Sequence, residues 1–248
     1  MTAGPRRVRT RGYGPVLGGV FVVYLGEVAM SDRVVRWAGA AGIAFVVLLL
    51  IGVFSGGSMP MADDPIDKIR TYYVDHRSAV LAGNMLGLVG IPFALWFVVA
   101  LRDLFRGDRL GNLLGTASLA GLVATAPMAM VGGVLQAAPV YVDGAAKNFS
   151  DDTLRIMFVG QGLAFAATSA GITVFVLAAG LAIRHTHALP GYTMWLSFLA
   201  VIGNVVTMFS TLGSGASVLG FAGVTTFALF ILVTGITMAA GKATPANN

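Results

Sequence analysis

The chain has 248 residues, of which 56% are hydrophobic and only 11% are charged, whereas a typical soluble domain carries about 25% charged residues. Together with a mean hydropathy of +0.82, this composition excludes an ordinary soluble protein, and the lack of cysteine excludes disulfides, thiolate metal sites and cysteine nucleophiles. The net charge of +5 does not indicate nucleic-acid binding, because the basic residues form short clusters between apolar runs, as in membrane proteins.

The first element in chain order is a basic N-terminal segment over residues 1–35, which we interpret as a loosely held arm or an interfacial helix. Its first eleven residues hold four arginines, and the apolar stretch at 15–29 is short and interrupted by Glu27. A signal peptide has a similar basic head, but no convincing small-residue cleavage motif follows here. Because Met30 stands directly before the first long apolar run, we hypothesise that the native protein begins there.

Five windows of the chain contain no Lys, Arg, Asp or Glu, and they predict a single transmembrane domain over residues 36–242. A helix needs about 20 apolar residues to cross the hydrocarbon core, so four windows hold one helix each and the longest, 185–241, holds two. The small residues at 213–217 provide the break between these two. Continuously apolar runs favour helices over barrel strands, which alternate. The six predicted spans are 36–56, 79–101, 111–136, 156–183, 193–212 and 217–240.

The charges between the spans predict which ends of this all-α polytopic transmembrane helical bundle face the cytoplasm. Arginines cluster before span one and after span two, whereas seven of the eleven acidic residues lie in the loops after spans one and three. By the positive-inside rule, both termini are cytoplasmic and the acidic loops lie outside. Residues 243–248 form a short tail that we expect to be disordered.

The first outer loop contains a predicted amphipathic helix at about 64–77. Asp64 and Pro65 provide an N-cap followed by proline at the first helical position. Apolar residues then recur at helical spacing while the intervening positions are polar. We interpret this helix either as a lid or partner-docking element, or as an interfacial connector with no further role. The candidate docking residues are Asp64, Asp67, Arg70, Tyr73, His76 and Arg77.

Polar residues inside the spans are the other candidates, because they are costly in lipid and often functional. No Asp, Glu, Lys, Arg or His falls inside the six spans, which disfavours proton-coupled transport. Asn84, Gln161 and Asn204 could together line a polar cavity. The alternative is that these amides form hydrogen bonds between helices.

Glycine and proline indicate how the helices pack. The pairs Gly83 with Gly87, and Gly111 with Gly115, have the four-residue spacing of close helix contacts. Pro92 and Pro127 lie within spans two and three, where each removes a backbone hydrogen bond and predicts a kink.

No motif in the sequence predicts catalysis, a metal or a cofactor. His185 and His187 lie in an inner loop with no nearby acidic residue, and His76 is predicted on the opposite side, so the histidines do not form a zinc site. The chain has no phosphate-binding glycine loop, no His-Glu-x-x-His and no nucleophile elbow. Asp75, His76 and Arg77 are consecutive, so a helix would point them in different directions. We therefore expect no enzyme and no cofactor.

One part of the chain resembles a known group of proteins. It comprises Met59-Pro-Met-Ala-Asp-Asp-Pro65, Tyr72-Tyr-Val-Asp-His-Arg-Ser-Ala-Val-Leu-Ala-Gly83 and Leu95-Trp-Phe-Val-Val-Ala-Leu-Arg102. These stretches resemble multi-span membrane proteins of high-GC Gram-positive bacteria, in which an acidic outer helix ends in a similar turn before span two. The region that holds these stretches, residues 59–102, covers about a sixth of the chain. It implies a location in a bacterial plasma membrane and carries no catalytic or binding residue with it.

These observations favour a non-enzymatic accessory, scaffold or partner-binding membrane protein. Its expected partners are the lipid bilayer and either another protein or further copies of itself, and not nucleic acid. The alternative is a small permease or lipid transporter for a neutral or lipidic solute, which the intramembrane amides and prolines favour.

Overall fold

The computed structural model of the protein describes residues 31–142, 144–209 and 217–244. The hypothesised start at Met30, nearly all of the N-terminal arm, most of the predicted helix break and the end of the tail lie outside the described residues. Every regular helix or strand in the described part of the chain is an α-helix, so the predicted all-α fold is confirmed.

The described residues form eight helices, six of which are long and apolar enough to span a membrane. In chain order they are α1 (Asp32–Ser55), α2 (Ile66–Asp75), α3 (Arg77–Leu104), α4 (Arg109–Tyr141), α5 (Ala145–Asn148), α6 (Asp151–Thr186), α7 (Gly191–Phe209) and α8 (Ser217–Ala239). The prediction of six transmembrane helices is thereby confirmed, and α2 is the predicted amphipathic helix. The single turn α5 has no counterpart in the prediction.

Most of the long helices extend beyond the apolar windows that predicted them. The longest, α6, has 36 residues, which at 1.5 Å per residue gives about 54 Å against a hydrocarbon core of about 30 Å. The Ser150 hydroxyl caps its first turn by accepting a hydrogen bond from the Thr153 amide at 3.3 Å. Asp151 and Asp152 follow in that turn, where negative charge favours a helix start. Hydropathy indicates only the segment that lies in lipid, so the predicted span did not include the polar first turn of α6.

The six long helices form a closed ring. Each packs against the next along the chain, and α1 also packs against α8. Large buried side chains fill the centre, among them Phe97, Leu101, Phe175, Phe230 and Ile231. The ring centroid of Phe175 lies 5.9 Å from that of Phe230 in an edge-to-face arrangement, which aromatic pairs prefer. The core is therefore apolar and tightly interlocked at its middle.

The connections divide the charges between the two ends of the bundle. One end carries α2, α5 and the connections 56–65 and 149–150; we call these segments the cap, and this end the cap side. The other end, which we call the basic side, carries Arg33, Arg36, Arg102, Arg106, Arg109 and Arg184. The arginine clusters and the acidic loops of the sequence thus lie at opposite ends of the bundle.

Glycines let neighbouring helices approach closely, as two pairs of helices show. A Cβ atom on Gly39 would lie 2.5 Å from the backbone oxygen of Gly235, so α1 and α8 meet there. A Cβ on Gly121 would lie 2.5 Å from the Phe175 nitrogen and 2.9 Å from the Gly171 oxygen, so α4 and α6 meet there. Only glycine fits such contacts without moving a backbone.

The glycine pairs singled out from the sequence give a mixed outcome. A Cβ on Gly83 would lie 2.8 Å from the Gly52 oxygen, and Gly111 and Gly115 are similarly crowded by backbone atoms. Gly87, by contrast, has nothing within 4 Å of an added Cβ. Of the two α3 glycines that the four-residue spacing singled out, only Gly83 therefore lies at a close contact with another helix. Spacing alone does not tell which face of α3 meets a neighbour.

The helices continue through their internal prolines. Pro92 lies within α3, and Pro127 and Pro139 lie within α4. Each proline leaves one carbonyl of the preceding turn without its usual amide donor. Pro92 is exposed on the lipid-facing surface of α3, where it borders a groove described below.

Candidate functional site

The cap begins with a turn that positions α2. The helix starts at Ile66, and the Pro65 carbonyl accepts hydrogen bonds from the Lys68 and Ile69 amides. The prediction that Asp64 caps this helix is wrong in detail. Its carboxylate accepts a hydrogen bond from the Met61 amide at 2.7 Å and pairs with the Lys68 ammonium at 2.7 Å. Because Asp64 lies one residue outside the cap position, its side chain turns back over the preceding loop.

Arg70 fixes α2 to the far side of the cap. Its guanidinium donates to the carbonyl oxygens of Ala146 and of Phe149, the latter at 3.1 Å, and to the Asp151 carboxylate at 2.6 Å. These acceptors belong to α5, to the connection after it and to the first turn of α6. Charge-assisted bonds of this kind are the stronger ones. One side chain thus ties three consecutive segments to α2.

Two further arginines bind backbone carbonyls of the cap side. Arg155 donates to the Ala62 oxygen at 2.7 Å and to the Asp64 oxygen at 3.0 Å, which holds the loop before α2 on α6. Arg77 donates to the Val140 oxygen at 2.9 Å, near the end of α4. Carbonyls in the last turn of a helix lack intrahelical donors, and a cation is favoured there. The arginines therefore satisfy backbone groups that would otherwise be open.

The underside of α2 is apolar and buried. Ile69 and Tyr73 are fully buried, and Tyr72 nearly so. They pack in a second apolar cluster, separate from the bundle core, with Val80, Val140, Ala146, Leu154 and Phe158. This cluster seals the cap onto the ends of α3, α4 and α6.

Burial and hydrogen bonding shift pKa values in the cap, among them those of Tyr73 and Asp64. Burial raises the pKa of the Tyr73 phenol far above its ordinary value, and the neighbouring Tyr72 adds to the effect. The Lys68 hydrogen bond, with the Met61 amide behind it, lowers the pKa of the Asp64 carboxyl. Both groups keep one protonation state near neutral pH, neutral for Tyr73 and charged for Asp64. The cap therefore has two fixed polar anchors rather than titrating ones.

The structure places most of the candidate docking residues inward. Of the six, only Asp67 is exposed; Tyr73 is buried, and Asp64, Arg70, His76 and Arg77 are partly buried. The inward residues hold the cap instead of facing outward. The exposed face of α2 consists of Asp67, Lys68, Thr71, Val74 and Asp75. Docking through this helix stays a prediction, and the exposed face of α2 is the surface available for it.

Two of the three intramembrane amides lie near the cap side and have different partners. The Tyr73 hydroxyl donates to the Gln161 side-chain oxygen at 3.2 Å. The Asn84 amide donates to the Gln136 side-chain oxygen at 3.1 Å and to the Val80 carbonyl at 3.0 Å. Asn84 thus joins α3 to α4, and Gln161 joins α6 to α2.

The third amide, Asn204, serves the contact between α7 and α8. It donates to the Ala200 carbonyl at 2.8 Å and to the Gly223 carbonyl at 3.5 Å. The Thr207 hydroxyl beside it accepts a hydrogen bond from the Gly223 amide at 2.9 Å. None of the three predicted amides hydrogen-bonds to another. Each of the three amides instead forms a hydrogen bond to a residue of another helix.

Three buried polar atoms of the described residues have no hydrogen-bond partner: Ser118 Oγ, Gln161 Nε2 and Thr234 Oγ1. A hydroxyl in a helix can turn to its own backbone at little cost. The Gln161 amide is different, because its two hydrogens need acceptors and Gln161 is only 1% exposed.

The basic side has its own polar contact. Asp108 caps α4 by accepting a hydrogen bond from the Gly111 amide at 2.7 Å, and its other oxygen lies 2.6 Å from His185 Nε2. The amide hydrogen bond, with His185 second, lowers the pKa of the Asp108 carboxyl. The expectation that His185 has no acidic neighbour is therefore wrong, since folding brings residues 77 positions apart together. Among the described residues no three metal-ligating side chains meet.

Two of the clefts among the described residues differ in place and chemistry. A small one of about 80 Å³ lies under the cap, lined by Tyr73, Arg77 and Lys147 among others. A larger apolar groove of about 410 Å³ lies between α1 and α3 on the lipid-facing surface. Its lining residues are Trp37, Ala41, Pro92, Phe93 and Trp96.

Sequence reasoning missed Gln136, Arg155 and this groove. Gln136 was visible as an intramembrane amide, but nothing in the sequence paired it with Asn84.

Compared with known protein families, with curated proteins and with solved structures, the chain matches none of them.

Proposed function

We propose that this integral membrane protein is a non-enzymatic scaffold or accessory subunit that binds a protein partner through its cap. The observation that carries the proposal is the triple arginine anchorage of the cap. Arg70, Arg77 and Arg155 direct their donors to backbone carbonyls, so these strongly basic side chains hold structure in place.

A fixed cap is suited to docking because it is ordered before a partner arrives. Binding through flexible segments costs free energy for ordering, and a pre-organised surface avoids that cost. The outward face of α2 combines two carboxylates, Asp67 and Asp75, with Thr71 and Val74 between them, while the remaining charge, on Lys68, is paired with Asp64. A partner with a basic and partly apolar surface would be complementary to it.

We also propose an orientation of the protein in its membrane and the kind of membrane that holds it. The basic side holds the arginine clusters, so by the positive-inside rule it faces the cytoplasm, together with both termini. The cap then lies outside. A bacterial plasma membrane agrees with this charge distribution and with the resemblance of the cap sequence to proteins of high-GC Gram-positive bacteria.

Native mass spectrometry of the protein, gently extracted from its own membrane, tests the proposal. We expect a defined complex with one partner protein or a fixed number of copies. Asp67→Lys should abolish that complex, whereas Asp32→Lys should leave it intact. The two variants are matched, since each reverses an exposed acidic residue in the first turn of a helix, one in the cap and one on the basic side. A monomer in the unaltered protein would refute the proposal.

A small permease for a neutral or lipidic solute is the second candidate, and one observation favours it. The buried Gln161 Nε2 has no acceptor in the described structure, and a solute carbonyl could supply one. Gln161→Ala and Asn84→Ala would then abolish solute uptake into vesicles while the purified protein remains folded. Unchanged uptake in both variants would remove this candidate.

A further inference from the structure

The groove between α1 and α3 has an unusual concentration of aromatic surface. The chain has three tryptophans, and two of them, Trp37 and Trp96, line this one groove. Trp37 is 68% exposed and Trp96 is 57% exposed, so their rings stand at the edges of the groove instead of filling it. The volume of about 410 Å³ lies within the range of natural ligand pockets.

The groove opens to lipid and contains almost no polar surface. Phe93, Pro92 and Ala41 complete its walls, and all of them are apolar. In a membrane, such a groove would be filled by hydrocarbon, because an empty space forfeits dispersion contacts. Since the groove lies on transmembrane helices and faces outward, an acyl chain is the occupant that fits its chemistry.

A positive charge stands above the groove on the basic side. Arg33, Trp37 and Ala41 follow one another at four-residue spacing on α1, which places them in one stripe along the helix. Arg33 is therefore one turn closer to the basic surface than the rim of the groove. It is exposed and has no hydrogen bond or ion pair with any residue that the structure describes. A phosphate group carried above an acyl chain in the groove would lie within its reach.

The neighbouring charged residues that the structure describes leave Arg33 available. Asp32 is adjacent in sequence, so its side chain points about 100° away around the helix. The Asp103 carboxylate at the corresponding end of α3 is paired with Arg106 at 2.8 Å. The Arg36 guanidinium packs beside Gly241, where an added Cβ would lie 2.8 Å from it. The N-terminus of α1, the positive end of its helix dipole, lies on the same side, which also favours an anion.

We propose that the groove is a binding site for one anionic phospholipid of the leaflet on the basic side. The acyl chain lies between Trp37 and Trp96, and the phosphate pairs with Arg33. This site is independent of the cap, so it stands whether or not the proposed docking function does. A transmembrane helix of another protein, or of a second copy, is the competing occupant.

Tryptophan fluorescence in vesicles tests the proposal directly, because lipids with brominated acyl chains quench a tryptophan that they touch. The probes are phosphatidylcholine vesicles with a small fraction of brominated phosphatidylglycerol or of brominated phosphatidylcholine. The Trp195→Phe protein keeps only the two tryptophans of the groove. The protein with Trp37→Phe and Trp96→Phe keeps only Trp195, which is 69% exposed near the start of α7 on the basic side. Trp195 is thus a matched control for an ordinary interfacial tryptophan.

In the Trp195→Phe protein, we expect the anionic lipid to give equal quenching at about a fivefold lower mole fraction than the zwitterionic lipid, since one basic residue near a membrane contributes about 1 kcal/mol. Trp195 alone should show no preference. Adding Arg33→Gln should abolish the preference, and adding Arg184→Gln, the same change at another exposed arginine of the basic side, should preserve it.

The remaining outcomes overturn the proposal. Equal quenching by both lipids, or an equal preference at Trp195, would mean general lipid contact. A preference that survives Arg33→Gln would place the phosphate elsewhere. Absence of quenching by either lipid would mean that a protein segment fills the groove.

Discussion

The hydroxyl of Tyr73 donates a hydrogen bond to the side-chain oxygen of Gln161 at 3.2 Å, and both residues are almost completely buried. This bond joins the cap helix α2 to the long transmembrane helix α6. Tyr73→Phe should therefore destabilise the protein by about 1–3 kcal/mol, because it leaves the Gln161 amide with no partner at all.

A second substitution provides the control for this bond. Gln161→Met has a similar shape and removes both polar atoms, so the double variant should regain most of the stability that Tyr73→Phe loses. Thermal unfolding of the purified protein in detergent measures all four forms. Additive losses in the double variant would show that the two side chains do not interact.

The arginine anchors of the cap make a separate prediction. Arg70→Lys retains the charge but reaches fewer of the three acceptors, so α2 should open more readily by about 1.5–3 kcal/mol. Hydrogen exchange of residues 66–75 should then accelerate by roughly 10- to 150-fold. Lys68→Met is the control, since the exposed Lys68 makes a single pair, with the partly buried Asp64, and such a pair contributes at most about 1 kcal/mol. Equal acceleration in both variants would contradict the anchoring role.

The membrane spans could be predicted from the sequence because lipid imposes one strong requirement. Every backbone group in the hydrocarbon core must bond within its own helix, so an apolar run of sufficient length has one solution. The cap helix was also predictable, since Pro65 and the spacing of Ile66, Ile69 and Tyr73 are local features. Local patterns thus accounted for which helices form.

The site could not be predicted because its contacts are between distant residues and often involve backbone atoms. Arg70 reaches a carbonyl 76 positions away, and Arg155 reaches one 93 positions away. A carbonyl has no sequence signature, so no pattern marks it as an arginine partner. The partners of the intramembrane amides could not be predicted for a related reason. Residue type predicted that Asn84 and Gln161 need partners, but only the packing of α4 against α3 shows that Asn84 finds Gln136.

The pair of Asp108 and His185 predicts a pH dependence of stability. The pKa of Asp108 is lowered in the folded protein, so its contribution is present above the ordinary carboxyl pKa of about 3.9 and is lost as pH falls through the lower, folded value. The unfolding midpoint of the unaltered protein should thus fall more between about pH 6 and about pH 3 than that of Asp108→Asn.

Two replacements at Asp108 separate its roles. Asparagine is also a good helix cap, so Asp108→Asn should lose mainly the interaction with His185, whereas Asp108→Ala should lose the cap as well and unfold at a lower temperature. Thermal unfolding near pH 7 compares them. If both variants unfold at one temperature, the capping bond to Gly111 contributes nothing measurable.

The glycine contacts provide the sharpest test of the bundle itself. Gly121→Ala would put a Cβ 2.5 Å from the Phe175 nitrogen and 2.9 Å from the Gly171 oxygen. Both are backbone atoms, so α4 and α6 must separate, and we expect a loss of about 1–3 kcal/mol or more. Gly87→Ala is the matched control, since nothing lies within 4 Å of its added Cβ. There alanine should stabilise the helix by about 0.5–1 kcal/mol, because it restricts the unfolded chain. Unfolding temperatures that move in opposite directions would confirm the close approach of α4 and α6; a rise in both would refute it.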